Sequence, residues 1–567
     1  MSARAALRKE TLMSRRQVEG MIADGRTIVI VDNKVLKLDA WIRFHPGGDL
    51  AIKHMVGRDA TDEVNALHSP EARRKMSSYQ IGRVHGQWDN LTPPVQGGKF
   101  RPFIEDASDL ESGSESDLIT TSESSSGKSS PLFEPVDKAP STSSLRQRLT
   151  PVDHAAADPV TPMEPHLAHL DDLTRQELDL TRAKYPSLSA ATQASIVQKY
   201  RDLNVRIRAE GLYQCNYTSY LIELSRYTLF FGLSLYFLHL GWWATAGLFL
   251  GIFWHQLVFT AHDAGHMGIT HNFHTDTVIG MIVADYLGGL SLGWWKRSHN
   301  VHHVVTNLPE HDPDIELMPF FAISHRFFQS LRSTYYDRIM PYDAVARVAV
   351  RYQSYLYYPI LTLGRFNLYL LSWEHLLRGL GPRKGEAAWH RWFEITGHVF
   401  FWIWFGYGIL YRTIPTWWGR FVFIMVSHMV TAPLHVQITL SHFAMSTANV
   451  GTKESFPQRM LRTTMDVDCP EWLDFVHGGL QFQAVHHLYP RIPRHNLRRT
   501  QRLVREFCHD VGIPYALFGF VDGNKQVISH LAEIGRQATI LGECQRTVAG
   551  EALSTVAVRE EPPHVSI

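Results

Sequence analysis

The sequence predicts a multidomain chain. It comprises a small N-terminal α+β domain, a disordered linker, and a mostly α-helical integral membrane domain with about four transmembrane helices and a cytosolic metal-binding cap. Three observations carry this expectation. Residues 10–90 mix strand-like and helical patterns, and residues 100–168 are acidic and serine-rich. The remainder alternates apolar runs with three clusters: His262-Asp-Ala-Gly-His266, His299-Asn-Val-His302-His303 and Gln483-Ala-Val-His486-His487. On a helix, positions i, i+3 and i+4 share one face, so each cluster aims its imidazoles at one point. Neutral imidazole is the commonest protein ligand for first-row transition metals. Seven histidines exceed the four ligands of one tetrahedral zinc and suit two iron atoms. The expected cap is therefore a di-iron one.

Bulk properties narrow the class. With 567 residues the chain has room for several domains, and 56 Lys+Arg against 55 Asp+Glu leave a net charge of +1, so nothing signals nucleic-acid binding. Four scattered cysteines, Cys215, Cys469, Cys508 and Cys544, form no C-x-x-C pair, which argues against a zinc ribbon or a disulfide framework. The mean hydropathy of −0.15 averages a polar N-terminal third with an apolar middle. Met1 to Arg16 is basic without an apolar core of signal-peptide length, so the N-terminal domain is expected to stay in the cytosol.

Taken in order, Thr27-Ile-Val-Ile-Val31 reads as a strand because β-branched residues dominate it, and His45-Pro-Gly-Gly48 reads as a turn before a helical segment. The linker stretches Glu105–Asp117 and Ser122–Ser130 cannot bury a core; Ser108 and Ser112 each precede a glutamate by three residues, as acidophilic kinases prefer. A polar helical pattern over 170–215 leads to the membrane region. There, Tyr227–Trp242 with Trp243–Thr260, and Ile395–Tyr411 with Phe421–Ser441, read as two helical hairpins; the first pair of runs is a little short for a span, and the first approaches the ~20 residues a bilayer requires if it begins near Leu221. Val278–Trp295 and Tyr352–Trp373 hold Asp285, Arg365 and Asn367 and read as interfacial or re-entrant helices. Two hairpins place all three clusters and both termini on one side, as ligands that must meet require. The basic flanks Lys296-Arg297 and Arg491–Arg499 assign that side to the cytosol. Residues 170–520 form the membrane domain and 521–567 a C-terminal helix and tail.

His45-Pro-Gly-Gly-Asp49, then Gly57-Arg-Asp-Ala-Thr61 and His68-Ser69, resemble cytochrome b5 over residues 12–86. The resemblance implies haem b held by His45 and His68 from opposite faces. A six-coordinate haem leaves no position for oxygen and transfers electrons. Val64 stands where the family often has Phe.

Over residues 215–515, box order, spacing and apolar context resemble the membrane-bound lipid desaturases. Gln483 in place of a first histidine, together with the N-terminal b5-like domain, resembles the front-end desaturases. Those enzymes insert a double bond between an existing functional group and the carboxyl, or equivalent, end of the chain. His477-Gly-Gly-Leu-Gln-Phe-Gln-Ala-Val-His-His-Leu-Tyr-Pro-Arg-Ile-Pro-Arg494, Trp294–His303 and His311-Asp-Pro-Asp-Ile315 look like the fungal sphingolipid Δ8 desaturases, with Ala484-Val485 and Tyr489 as mild departures. The resemblance implies His262, His266, His299, His302, His303, His486 and His487 as iron ligands. Gln483 offers an amide to iron or to a bound water. One more histidine is implied from the last transmembrane helix, with His442 preferred to His435. His271, His274 and His311 read as supporting or surface residues, and Asp312 as orienting a ligand imidazole.

An unactivated methylene has no acidic proton, so acid–base chemistry fails and hydrogen-atom removal, driven by iron, O2 and two external electrons, is required. No dinucleotide fingerprint is present, so NADH is expected to act through a separate cytochrome b5 reductase. The expected substrate is the long-chain base of ceramide or glucosylceramide in the membrane of the endoplasmic reticulum. A front-end Δ5/Δ6 fatty-acyl desaturase and a lipid hydroxylase fit the same boxes. A membrane-anchored haem electron carrier is the reading from another class.

Overall fold

The computed structural model describes residues 9–102 and 165–559. Most of the serine-rich linker, with Ser108 and Ser112, and residues 560–567 lie outside the described residues. The chain divides into two compact units. The first holds residues 9–43, 52–64 and 70–102; the second holds 44–51, 65–69 and 165–559.

In the first unit, Ile28–Val31 (β1), Lys34–Lys37 (β2) and Gln80–Arg83 (β3) form an antiparallel sheet in the order β1-β2-β3. The expected strand over residues 27–31 is present from Ile28. Asp32 and Asn33 join β1 to β2 with φ of 50° and 60°, the two left-handed positions that match a two-residue hairpin to strand twist. The helix Arg15–Ala23 starts at Ser14, whose side chain accepts from Gln17 N while Gln17 answers on Ser14 N, a reciprocal capping box. Val18, Ile22, Ile28, Ile30, Val35, Val56, Val84, Trp88 and Leu91 form its core, and Trp88 Nε1 donates to Gly57 O at 2.9 Å.

The second unit is built on long apolar helices. Tyr217–His239, Trp243–Gly265 and Trp417–Phe443 are each long and apolar enough to cross a membrane. Tyr217–His239 packs along Trp243–Gly265, which also packs along Trp417–Met429. Two close approaches lack a Cβ for that reason: at Gly247 a Cβ would lie 2.9 Å from Phe423 O, and at Gly251 2.6 Å from Ser427 O. The expected span near 395–411 lies in one helical run, α over His390–Phe401 and π over Trp402–Thr413. Val278–Trp295, read as re-entrant, contains a bend of 117° between Phe273–Leu287 and Leu292–Val305. Tyr352–Trp373 falls on the helices Gln353–Thr362 and Gly364–Arg378. The sequence reading did not anticipate a short parallel pair, Asp466–Asp468 with Leu517–Gly519, which sits just ahead of the third histidine cluster.

Candidate metal centre

Helix ends deliver the histidines. His262 lies in the last turn of Trp243–Gly265 and His266 is its cap; His299, His302 and His303 share Leu292–Val305; His442 closes Ala432–Phe443; His486 and His487 lie on Gln483–Leu488. The first helix reaches its partner closely because Gly265 lacks a Cβ, which would otherwise lie 2.1 Å from the Trp295 ring. Trp295 stacks on His299 at 4.5 Å and packs edge-on against His262 and His266, each at 5.3 Å.

Two groups of donor atoms result, each within 4.8 Å of one another: His262, His266, His299 and His486, and His302, His442 and His487. His303 touches both. Its Nε2 lies 3.1 Å from His299 Nε2, and its ring centre lies 4.9 Å from His486 and 4.3 Å from His487. All seven cluster histidines and His442 therefore converge. His435, seven residues before His442 on the helix Ala432–Phe443, is absent from both groups. Gln483 is buried at the start of the third-box helix. His271 is spent on Met267 O and Tyr213 O, His274 is exposed, and His311 Nδ1 meets Thr334 Oγ1 at 3.2 Å.

The second group has its tautomers fixed. Asp312 accepts from His302 Nδ1 at 2.9 Å, Thr463 O accepts from His442 Nδ1 at 3.2 Å, and Thr306 Oγ1 lies 3.5 Å from His487 Nδ1 while donating to His302 O. A carboxylate or carbonyl can only accept, so His302 and His442 carry the proton on Nδ1 and keep the Nε2 lone pair. Asp312 is itself held by Asn307 N at 2.7 Å and Asp314 N at 2.9 Å. His302 Nε2 then faces His487 Nε2 at 3.2 Å. Two metal–nitrogen bonds of about 2.1 Å meeting near a right or tetrahedral angle give such a separation. In the first group, Nε2 of His262, His266 and His486 is buried with no hydrogen-bond partner among the described residues. Burial, reinforced by neighbouring imidazoles, drives the pKa of His266, His486 and His487 well below the ordinary histidine value, which keeps them neutral and able to ligate. This donor set fits transition metals such as iron.

Two supports escaped sequence reasoning. Arg494 was assigned to a basic flank, yet it is buried. It donates to Asp263 Oδ2 at 2.5 Å, to Phe259 O at 3.0 Å and to Glu223, while His495 donates to Glu223 at 2.7 Å. Asp263 lies inside the first box, so Arg494 ties that box to the segment following the third. Replacing Arg494 by Gln leaves two buried carboxylates short of their cation, at a cost of about 3–5 kcal/mol. The expected result is a lower unfolding temperature in detergent; an unchanged temperature would remove the clamp. The second support is Asp466, which accepts from Ala484 N at 2.7 Å, from Gln501 at 2.7 Å and from Tyr515. Burial pushes its pKa up to about 6 despite those donors. The only available signal was the chemistry of isolated acidic residues, which spacing does not connect.

In the b5-like segment, the His45 and His68 rings face each other with centres 5.9 Å apart and planes 36° apart. That leaves room for one metal atom and its two bonds of about 2 Å. His45 Nδ1 donates to Gly48 O at 2.7 Å, so Nε2 is the free nitrogen.

The fatty acid desaturase family matches residues 240–519, and the cytochrome b5-like heme/steroid binding domain matches residues 14–85. The chain belongs to the fatty acid desaturase family and carries a cytochrome b5 domain; it is an integral membrane oxidoreductase acting on lipids. A Delta 8-(E)-sphingolipid desaturase of Emericella nidulans is 63% identical over 549 residues, covering 96% of this chain and 98% of the relative. One from Kluyveromyces lactis is 50% identical over 561 residues, 96% of each chain. The acyl-lipid (9-3)-desaturase of Borago officinalis is 33% identical over 373 residues, 64% of this chain and 80% of the relative.

Proposed function

We propose that this protein is a sphingolipid Δ8 desaturase that inserts an E double bond at C8 of the long-chain base of ceramide or glucosylceramide. The convergence of eight histidines from four helix ends carries the reaction class. Near-full-length similarity to relatives named for this reaction carries the substrate and the E geometry. In this reading His262, His266, His299 and His486 hold one iron and His302, His442 and His487 the other. His303 would reach both, and Gln483, buried at the start of the third-box helix, would offer its amide to iron or to a bound water. Iron held there would supply, with O2, two electrons and two protons, the oxidising power to remove one hydrogen atom from each of two adjacent carbons, leaving an alkene and two waters.

The chain's own contribution is geometric. Asp312 and Thr463 O fix the His302 and His442 tautomers, Trp295 walls one side of the first group, and burial of the imidazoles excludes bulk water. His45 and His68 would hold haem b, which would relay electrons supplied by a separate NADH-cytochrome b5 reductase. The spans are Tyr217–His239, Trp243–Gly265, the helical run 390–413 and Trp417–Phe443. With this even number, the eight candidate ligand histidines and both termini would share one side, which the basic flanks assign to the cytosolic face of the endoplasmic reticulum. The domains run 10–90, 170–520 and 521–567, with the linker between the first two.

The test is the sphingoid-base profile of yeast lacking its own Δ8 desaturation and expressing this chain. New Δ8-E bases are expected. Altered fatty acids with unchanged bases would move the assignment to an acyl desaturase, and hydroxylated bases to a hydroxylase.

A further inference from the structure

Behind the second histidine group lies a cavity of about 330 Å³, within the range of small-molecule sites. Ala444 and Met445, which directly follow the helix bearing His442, form one wall. Met465, Leu517 and Phe518 add apolar surface, and Lys184, Tyr185, Tyr515 and Gln526 supply the polar groups. Lys184 and Gln526 are exposed at the rim, and Tyr185 is the buried member of the set. Tyr185 is only 9% exposed, yet its hydroxyl makes no hydrogen bond among the described residues. Lys184 has no carboxylate partner and sits over the Tyr185 ring at 5.7 Å, and the Gln526 amide is likewise uncommitted among the described residues. A tyrosine hydroxyl that lines a cavity and makes no hydrogen bond to the described residues is free to donate to a ligand atom. Burial raises the Tyr185 pKa to about 12, which keeps the hydroxyl protonated as a donor.

The cavity is tied to the metal-binding residues from two directions. Met445 N donates to His442 O at 2.9 Å, closing a turn whose ends lie under about 7 Å apart. Tyr515 donates to Asp466, the carboxylate that also holds Ala484 N of the third-box helix. An enzyme that places a double bond a fixed number of carbons from a polar head must hold that head close to its metals. Extended chains gain roughly 3.5 Å per three bonds, so the five bonds from C3 to C8 of a sphingoid base span roughly 6 Å.

We propose that this cavity seats the hydroxyl- and amide-bearing head of the sphingoid substrate, with Tyr185 donating to a head oxygen and Lys184 and Gln526 at the rim, and that it sets the Δ8 count. The proposal rests on the sphingolipid reading above. Tyr185→Phe removes one hydroxyl and keeps the packing; Lys184→Gln alters the rim alone.

The experiment assays the full-length, haem-loaded protein in detergent with dihydroceramide and its 3-O-methyl analogue, mapping double-bond position by ozonolysis and mass spectrometry. Loss of one hydrogen bond predicts a KM for dihydroceramide raised about fivefold in Tyr185→Phe, with kcat little changed. The 3-O-methyl analogue should lose its disadvantage in that variant, and some product should shift away from C8. Unchanged KM and position in both variants would overturn the proposal. So would a fall in kcat with unchanged KM, which would mark a structural role. Absence of any Δ8 product from the wild-type chain would instead sink the sphingolipid reading itself.

Discussion

Replacing His302 by Ala is expected to abolish desaturation, to below roughly one-hundredth of the wild-type rate, and to lower non-haem iron content while leaving the haem spectrum intact. The size of the effect follows from where His302 stands. Its Nε2 meets His487 Nε2 at 3.2 Å and its ring packs edge-on against His442 at 4.6 Å, so its removal leaves the second donor group with two imidazoles. Neighbouring side chains offer no replacement, because Asp312 and Asp314 approach from the Nδ1 side. Asp312→Asn tests the same geometry more gently. An amide can present its NH2 to Nδ1 and favour the wrong tautomer, and loss of such a carboxylate partner typically costs 10–100-fold in metal affinity or activity. Non-haem iron by colorimetric assay and Δ8 product by mass spectrometry separate the two variants. A His302→Ala protein with full iron content and wild-type turnover would remove His302 from the ligand set.

The contrast between His302 and Asp312 also explains what sequence reasoning could reach. Imidazoles at i, i+3 and i+4 announce themselves because a helix puts them on one face, so all seven cluster histidines were legible before any fold was known. His442 lies outside any box, on an apolar helix that also carries His435, and became a candidate only through the family resemblance; the structure seats it between His302 and His487. Asp312 was within reach because His311-Asp-Pro-Asp lies ten residues past its partner. Arg494 was not, since its carboxylates lie 271 and 231 residues away along the chain, and a basic run beside an apolar segment reads most simply as a membrane flank. The hairpin β1–β2 was half visible: the strand stood out by its β-branched residues, whereas the Asp32-Asn33 turn needed its backbone angles. Helix breaks were hardest. Asp285 and its neighbouring glycines marked Val278–Trp295 as interfacial or re-entrant, but the 117° angle after Leu287 and the π stretch from Trp402 depend on how helices pack, and hydropathy carries no record of that.

Substituting His68 by Ala is the complementary experiment, expected to lower Δ8 product in cells at least tenfold while leaving non-haem iron unchanged. His45 and His68 face each other across 5.9 Å, and losing one leaves haem with a single protein ligand and an open position. Such a haem is bound less tightly, and its redox behaviour changes because the axial ligands set the potential. The desaturase histidines would be untouched, so the defect should lie in electron supply alone. Covalent attachment gives the haem domain an effective concentration that can reach the millimolar range. A separately expressed cytochrome b5 at cellular concentrations should therefore restore only part of the product to His68→Ala, and none to His302→Ala. The reduced-minus-oxidised haem spectrum reports the first variant and the iron assay the second. If His68→Ala kept both its six-coordinate haem spectrum and full desaturation, the proposed electron path through this haem would fail, even with the di-iron assignment intact.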